Sequence, residues 1–325
     1  MADEPTSPPT PPAVTGLPPA VGAAIVLICL AALGILLVAI ADPWGRSEGR
    51  VGTSGDPVVF VLSPAHARDA RAQGMKALGD FLFKQTGLAV QVRSAASSVE
   101  AIDAFGGTAD MGLLGLFEYL LARAEYGVEA GIQVLRKDAA NSFTGVIVVR
   151  SDAPTRKLAE LARTRFAFVT PYSTTGFVFP MKLLADEGVA VESHFAGGHP
   201  EALECLRNKS AAATATYADS VAGSAEFRVI ASTPQIPNEP IFFRKGFAQE
   251  KRDRLYAALE YLATTPEGKE LLPKFADITG VRGITDAHYQ EVLGVVSAAG
   301  QTIYQVVPDG VSMEERKRYL DLVPH

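Results

Sequence analysis

The chain has 325 residues, of which 48% are hydrophobic, and it carries a formal net charge of −6. This length and apolar content are enough for one or two globular domains with a buried core. The acidic balance and the absence of a lysine or arginine cluster argue against a nucleic-acid partner. Cys29 lies in an apolar segment and Cys205 in a predicted surface helix. We therefore expect neither a disulfide nor a cysteine metal site, and no motif indicates a cofactor.

The N-terminal region predicts a tail, a membrane anchor and a tether. Residues 1–19 hold seven prolines and little apolar bulk, which is typical of a disordered tail. Residues 20–41 contain no charged side chain and are long enough to cross a bilayer as a helix. This run is too long for a signal peptide and no basic residue precedes it, so we expect a retained transmembrane helix. Residues 42–56 contain four glycines and predict a flexible tether.

The charges that flank the predicted anchor bear on its orientation. Arg46 and Arg50 follow it, whereas no lysine or arginine precedes it. Taken literally, the positive-inside rule places the globular region in the cytoplasm. Large domains translocate largely regardless of such a small bias, so charge alone leaves both orientations open.

Beyond the tether, strands alternate with helices, which predicts an α/β fold with a largely parallel sheet. The predicted strands are Val58–Leu62, Leu88–Val92, Met111–Leu114, Ile132–Leu135, Thr144–Val149, Phe166–Val169, Val189–Phe195, Ala211–Tyr217, Phe227–Ala231 and Ile241–Phe243. Helical segments lie between most of them, and the chain is mainly helical after Gln249, including Leu271–Phe275 and Tyr289–Val296.

The globular region is long enough for two lobes. Roughly 270 residues fit two compact units better than one. We expect one lobe to comprise residues 57–143 and 241–325, and a second, inserted lobe to comprise residues 147–235. The two chain crossings, near Thr144 and Ile236, would form a hinge.

The stretch Phe166–Pro180 carries the clearest sign of a ligand site. A predicted strand stops at Thr170-Pro171, and we expect one tight turn followed by a regular helix from about Pro180. The residues between them are Ser173, Thr174, Thr175 and Gly176. Hydroxyls and unpaired backbone N–H groups at a helix start suit an anion, and a glycine there lets a ligand approach the backbone. The alternative is that these hydroxyls only cap the helix.

Further motifs point to a family. They are Phe81-Leu82 with Thr86–Val90, Ile102–Asp110, Leu114–Tyr119, Thr170–Gly176, Gly197–His199 and Ile236–Pro240. With these motifs, residues 57–300 resemble the phosphate/phosphite/phosphonate-type substrate-binding proteins of ABC transporters, which have the type II periplasmic-binding-protein fold. Two departures are Leu116, where the family has proline, and Glu118, where a small residue is common.

The resemblance implies a two-lobed protein that binds a small oxyanion between its lobes and passes it to an ABC permease. Combined with the anchor predicted from the apolar run at residues 20–41, it predicts a single-pass protein of the cytoplasmic (inner) membrane with its globular region periplasmic or extracellular. The implied ligand-binding residues are Ser173, Thr174, Thr175, Gly176, His199, Tyr119, Tyr217, Asp219 and His66.

Structural alternatives stand beside several of these residues. His199 could simply begin a helix, Tyr119 and Tyr217 could pack in a core or hinge, and Asp219 could cap a helix that begins at Ser220. His194 and His199 lie on a strand and beyond a Gly-Gly loop, so we do not expect them to share a metal ion.

Two other functions stay open on the sequence. The predicted anchor and the proline-rich tail are compatible with a ligand-sensing or partner-binding domain of a signalling system. An enzyme on the same scaffold is the other alternative, because a fold does not dictate function. The sequence contains no G-x-S-x-G elbow, P-loop or dinucleotide fingerprint, which argues against an enzyme.

Overall fold

The computed structural model describes residues 47–67, 72–272, 278–290, 292–294, 302–307, 310 and 313–315. Within them, helices flank two sheets. The strands are β1 (Val58–Leu62), β2 (Val90–Ser94), β3 (Met111–Leu113), β4 (Glu129–Leu135), β5 (Ser142–Arg150), β6 (Arg165–Phe168), β7 (Glu192–Phe195), β8 (Ala213–Tyr217), β9 (Phe227–Pro237), β10 (Pro240–Phe243) and β11 (Gly280–Gly283). The helices are α1 (Pro64–Ala67), α2 (Ala72–Thr86), α3 (Ser98–Asp103), α4 (Leu116–Tyr126), α5 (Phe179–Asp186), α6 (His199–Arg207), α7 (Gln249–Thr264) and α8 (Pro266–Leu271).

The first sheet has the strand order β11-β4-β10-β3-β1-β2 and, with its helices, forms what we call lobe 1. One apolar cluster joins Phe60 and Phe243 of this sheet to Leu82 of α2 and Leu255 of α7. Another contains α3, α4 and Phe242 of β10. Alternate residues of the same strands enter the two clusters, so the core of lobe 1 consists of one apolar cluster on each face of its sheet.

The second sheet has the order β7-β6-β8-β5-β9 and forms lobe 2 with its helices. Here β6 pairs in parallel with β7 and β8, while β5 pairs antiparallel with β8 and β9. In the first sheet β1 is parallel to β2 and β3, but β10 and β4 run antiparallel to their neighbours. Both sheets are therefore mixed, and the expectation of a largely parallel sheet was wrong, because the strands that connect the lobes enter each sheet in the reverse direction.

Two extended crossovers connect the lobes. The chain leaves lobe 1 after β4, enters lobe 2 as β5, and returns along β9 to β10. Strand β9 is longer than the predicted Phe227–Ala231 and runs through Pro234. A proline is tolerated there because β9 is the edge strand of its sheet, where one side of the ladder is unpaired.

Asn238 pins the two crossovers to each other. Its side-chain amide donates to the carbonyl oxygens of Val134, at 3.0 Å, and Ala140, at 2.8 Å. The backbone carbonyl of Asn238 accepts from the side-chain amide of Gln133, at 3.1 Å, and from the Tyr289 hydroxyl, at 2.9 Å. Because Asn238 is fully buried, these bonds are shielded from water and fix the crossovers at the lobe 1 end.

Residues 48–56, the described end of the predicted flexible tether, pack on lobe 1. Val51 is only 2% exposed and lies in the core cluster with β1 and α7. Glu48 forms an ion pair with Arg244, and the N–H of Ala89 donates to the carbonyl of Gly52 at 2.7 Å. The tether prediction was therefore wrong for this part. The favourable free energy of burying Val51 and of pairing Glu48 with Arg244 exceeds the free-energy cost of the entropy lost when this glycine-containing segment becomes ordered.

Some predictions lie outside the described residues. They are the tail 1–19, the transmembrane helix 20–41 and most of the helix Leu271–Phe275. Among the helices of the described part of the chain, none combines the length and the apolar character needed to cross a bilayer.

Candidate functional site

The predicted anion-binding turn follows β6 and leads into α5. Residues Thr174–Val178 form a π-helical turn, and the regular helix begins at Phe179, close to the predicted start. Ser173 caps the turn, because its hydroxyl oxygen accepts from the Gly176 N–H at 3.0 Å. The first N–H group of the turn that is hydrogen-bonded is that of Gly176. The N–H groups of Thr174 and Thr175 come before it, at the N-terminal end of the helix, where the helix dipole is positive.

Both threonines of this turn are buried. Thr174 is 7% exposed and Thr175 is 4% exposed. Neither side-chain hydroxyl forms a hydrogen bond with a described residue, and neither oxygen belongs to the fully buried atoms that lack a partner, so both oxygens remain accessible to solvent. Two neighbouring accessible hydroxyls in an otherwise buried turn can therefore bond to water or to a ligand.

Gly176 has a different role from the expected one. A Cβ atom at this position would lie 2.3 Å from Cγ2 of Val169 and 2.7 Å from Oγ of Ser173. No real side chain could occupy that space, so glycine is required for the turn to fold back on the end of β6. The predicted role, close approach of a ligand to the backbone, is not needed to explain this glycine.

His199, Tyr217 and Asp219 lie close together at one end of lobe 2. His199 begins α6, and its Nδ1 lies 2.9 Å from Oγ1 of Thr216, at the end of β8. The rings of His199 and Tyr217 meet edge to face with centroids 5.0 Å apart. Tyr217 is 39% exposed, and Asp219 is exposed in the short helix after β8. The residue that caps this helix is Tyr217, so the structure does not support Asp219 as a cap.

His66 lies at the carboxyl end of β1, in lobe 1. Both ring nitrogens are engaged: Nδ1 lies 2.9 Å from Oγ of Ser63, and Nε2 lies 2.9 Å from Oε1 of Glu239. The same carboxylate forms an ion pair with Arg136. Sequence reasoning missed Glu239 and Arg136, although Glu239 belongs to the Ile236–Pro240 motif, because residues that far apart in sequence give no sign that they pair.

The charge of Glu239 follows from these contacts. Burial alone would raise the pKa of its carboxyl group. The guanidinium of Arg136 and the hydrogen bond from His66 outweigh that effect and lower the pKa to about 2. Glu239 is therefore ionised at neutral pH, and its negative charge is already neutralised by protein groups.

Tyr119 lies in the core of lobe 1. Its side chain is fully buried against the rings of Phe242, at 5.2 Å, and Tyr289, at 5.3 Å. Its hydroxyl donates to Oδ1 of Asp286 at 2.5 Å, and burial with this bond raises the pKa of the tyrosine. The structure does not support the predicted ligand contact of Tyr119, because tertiary packing encloses the ring and the hydroxyl donates its hydrogen bond to the carboxylate of Asp286.

The starts of α4 and α5 bring the two lobes together. The rings of Phe117, in the first turn of α4, and Phe179, at the start of α5, meet edge to face with centroids 6.5 Å apart. Glu118 caps α4, because its Oε2 accepts from the Gly115 N–H at 2.6 Å. This cap explains the departure at Glu118 from the expected small residue. The anion-binding turn therefore lies beside a lobe 1 helix start.

Comparisons with known proteins place this arrangement in a family. A model of the family described as "ABC transporter, phosphonate, periplasmic substrate-binding protein" matches residues 60–289, more than half of the chain. The chain belongs to this family. Within the phosphonate-binding family, the "Phosphonates-binding periplasmic protein" of Escherichia coli (strain K12) is 28% identical over 158 residues, 44% of this chain and 47% of that protein.

A second relative and two solved structures extend the comparison. The "Phosphate-import protein PhnD" of Mycolicibacterium smegmatis is 26% identical over 200 residues, 56% of this chain and 62% of that protein. Both curated matches thus span less than two thirds of the relative. PhnD1 of Prochlorococcus marinus, solved with methylphosphonate, has a TM-score of 0.63 at 16% identity and covers 75% of this chain and 98% of its own. A phosphonate-transporter binding protein of Pseudomonas aeruginosa has a TM-score of 0.61 at 15% identity, covering 81% and 95%. At such identities these structures support the two-sheet fold alone.

Proposed function

We propose that this chain captures a phosphate-, phosphite- or phosphonate-type oxyanion between its two lobes and delivers it to an ABC permease. Family membership supports the transport context. The observation that supports the ligand class is the pair of neighbouring hydroxyls of Thr174 and Thr175, which bond to no described residue, beside the backbone N–H groups of the same two residues at a helix start. Two hydroxyls and two backbone N–H groups can donate several hydrogen bonds to the oxygens of a tetrahedral anion.

The proposed binding set is smaller than the predicted one. It retains Ser173, Thr174, Thr175 and His199, with Tyr217 and Asp219 beside His199 and with His66 as the candidate from lobe 1. Gly176 shapes the turn, and Tyr119 is left out because its side chain is enclosed in the core. The carboxylate of Asp219 would accept from a protonated ligand oxygen or pair with a ligand ammonium group, and would disfavour fully ionised anions.

Residues 20–41 would hold the protein at the cytoplasmic membrane, with the globular region periplasmic or extracellular. The length and the apolar composition of this segment support the proposal. A sensing role would use the same ligand site but a different partner. Loss of uptake of the bound anion after deletion of the gene distinguishes delivery to a permease from sensing.

The ligand site is tested by Thr174→Val, which removes one hydroxyl and keeps the side-chain shape. Calorimetric titration of phosphate, phosphite, methylphosphonate and sulfate should identify a ligand among the first three. Loss of one hydrogen bond to an anion should weaken that ligand roughly tenfold to a hundredfold, because such a bond contributes about 1.5–3 kcal/mol. The exposed Thr285→Val serves as the control and should bind like the unchanged chain. Equal affinity for Thr174→Val would remove this turn from the site, and no binding of the three phosphorus anions would contradict the ligand class.

A further inference from the structure

The ladder between β5 and β9 is broken at Gly145. Thr144 is opposite Gln235, but Val146 is opposite Ser232, so the register shifts within one residue. The N–H of Gly145 donates to the side-chain oxygen of Thr233, at 2.9 Å, instead of to a strand carbonyl. A bulge of this kind bends the strands and interrupts their pairing. The extra residue is on β9, where Thr233 and Pro234 lie opposite Gly145, and a second register shift follows between Ile147 and Val148. Since Asn238 holds the lobe 1 end of the crossovers, the ladder is most interrupted at their lobe 2 end, which begins at Gly145.

The bulge touches the anion-binding turn. A Cβ atom built on Gly145 would lie 3.2 Å from Cγ2 of Thr175 and 2.9 Å from Cγ2 of Thr233. The methyl group of Thr175 therefore rests on the backbone of Gly145. On the other side, Gly145 pairs with Tyr217 at the end of β8. Thr175 is thus the residue of the turn that contacts the crossover.

We infer that Thr175 couples anion binding to the movement of the lobes: its hydroxyl serves the ligand, and its methyl group transmits the position of the turn to the bulge at Gly145. This inference rests on the proposed function. A cavity of about 490 Å³, lined by Ser142, Gln235 and Phe179 among others, borders the crossovers and gives them room to bend. A ligand shifts the equilibrium between open and closed lobes only through contacts that differ between these two states. In this proposal, the contact between Thr175 and Gly145 is such a contact.

Two single-group changes separate the roles of the hydroxyl and the methyl group of Thr175. Thr175→Ser keeps the hydroxyl and removes the methyl group, so it should retain an anion contact but lose the coupling. Thr175→Val keeps the methyl group and removes the hydroxyl, so it should lose affinity through the missing bond. Thr86→Ser is the matched control, because Thr86 is a buried threonine of lobe 1 whose hydroxyl bonds to Leu82.

The measurement is the distance between spin labels on the full chain. Cys29→Ser and Cys205→Ser remove the native thiols, and labels are placed at Gln85→Cys and Glu192→Cys, which are exposed positions in lobes 1 and 2. With saturating phosphate or methylphosphonate, the unchanged chain and Thr86→Ser should shift to a single shorter distance. Thr175→Ser should bind the same anion at least about fivefold more weakly and leave a clear open fraction at saturation.

The possible results are distinct. If Thr175→Ser binds and closes like Thr86→Ser, the coupling is disproved while the binding function stands. If the unchanged chain binds neither phosphate nor methylphosphonate, the proposed function fails for these anions and the coupling falls with it. If Thr175→Val binds as tightly as the unchanged chain, the hydroxyl does not serve the ligand, and the assignment of two roles to Thr175 is overturned.

Discussion

At the scale of single residues, local rules predicted what depends on neighbours in sequence. The cap at Ser173 and the helix start near Pro180 follow from short-range geometry, and the structure contains both. The pairing of Glu239 with His66 joins residues 173 positions apart, and no pattern in the sequence announces it. The burial of Tyr119 is likewise decided by rings brought from β10 and the C-terminal region. Side-chain roles that depend on such distant partners need the three-dimensional structure.

Glu239 gives a prediction about acid stability. Its pKa is lowered from 4.5 in the unfolded reference to about 2 in the folded protein. The ionised carboxylate therefore stabilises the folded state above pH 4.5, by about 3 kcal/mol at most, and this contribution is lost as the pH falls from 4.5 towards 2. Glu239→Gln has no carboxylate to protonate, so its stability should fall less steeply across this range.

Chemical unfolding between pH 2 and pH 6 measures this effect. Glu239→Gln should be less stable than the unchanged chain at pH 6, because Arg136 and His66 lose their charged partner, and the two should converge near pH 2. The exposed Glu187→Gln should follow the unchanged chain. If the free energy of unfolding fell in parallel with pH for Glu239→Gln and the unchanged chain, protonation of Glu239 would not cause the loss of stability in acid.

At the scale of elements, composition misjudged the segment after the predicted anchor. Its glycines favour flexibility, but Val51 fills a place in the lobe 1 core and Glu48 pairs with Arg244. Sheet polarity was misjudged for a related reason. The sequence pattern shows which residues form strands. Whether a strand pairs in parallel or antiparallel depends on the path of the chain between the lobes, which the pattern does not contain.

Val51→Ala tests whether residues 48–56 belong to the folded lobe. Removing a side chain that is 2% exposed should cost about 2 kcal/mol, because apolar burial is lost and a cavity remains. Val229→Ala, at a position that is 46% exposed, is the control and should change stability by less than about 0.5 kcal/mol. Urea unfolding compares the two. Equal stability of Val51→Ala and the control would return this segment to the role of a flexible tether.

At the scale of the whole molecule, the lobes depend on two crossovers that differ in stiffness along their length. The lobe 1 end is fixed by four hydrogen bonds of Asn238. The lobe 2 end begins at the bulge of Gly145, where the ladder is interrupted. We therefore expect any bending of the crossovers to concentrate at the lobe 2 end, next to the proposed anion-binding turn.

Asn238→Asp tests the stiff end. The amide nitrogen that now donates to the carbonyls of Val134 and Ala140 would become a carboxylate oxygen facing two carbonyl oxygens in a fully buried position. Burying an unpaired charge is strongly unfavourable, so we expect a loss of more than about 3 kcal/mol at pH 7 and a smaller loss at pH 4.5, where the carboxyl group can remain protonated. Asn208→Asp is the matched control, because the exposed Asn208 only accepts a bond from the Ser210 N–H, which a carboxylate also accepts. Thermal unfolding at both pH values measures the difference between the variants. If Asn238→Asp unfolded like the control at pH 7, the crossovers would not be pinned at this residue, and bending would extend along their whole length.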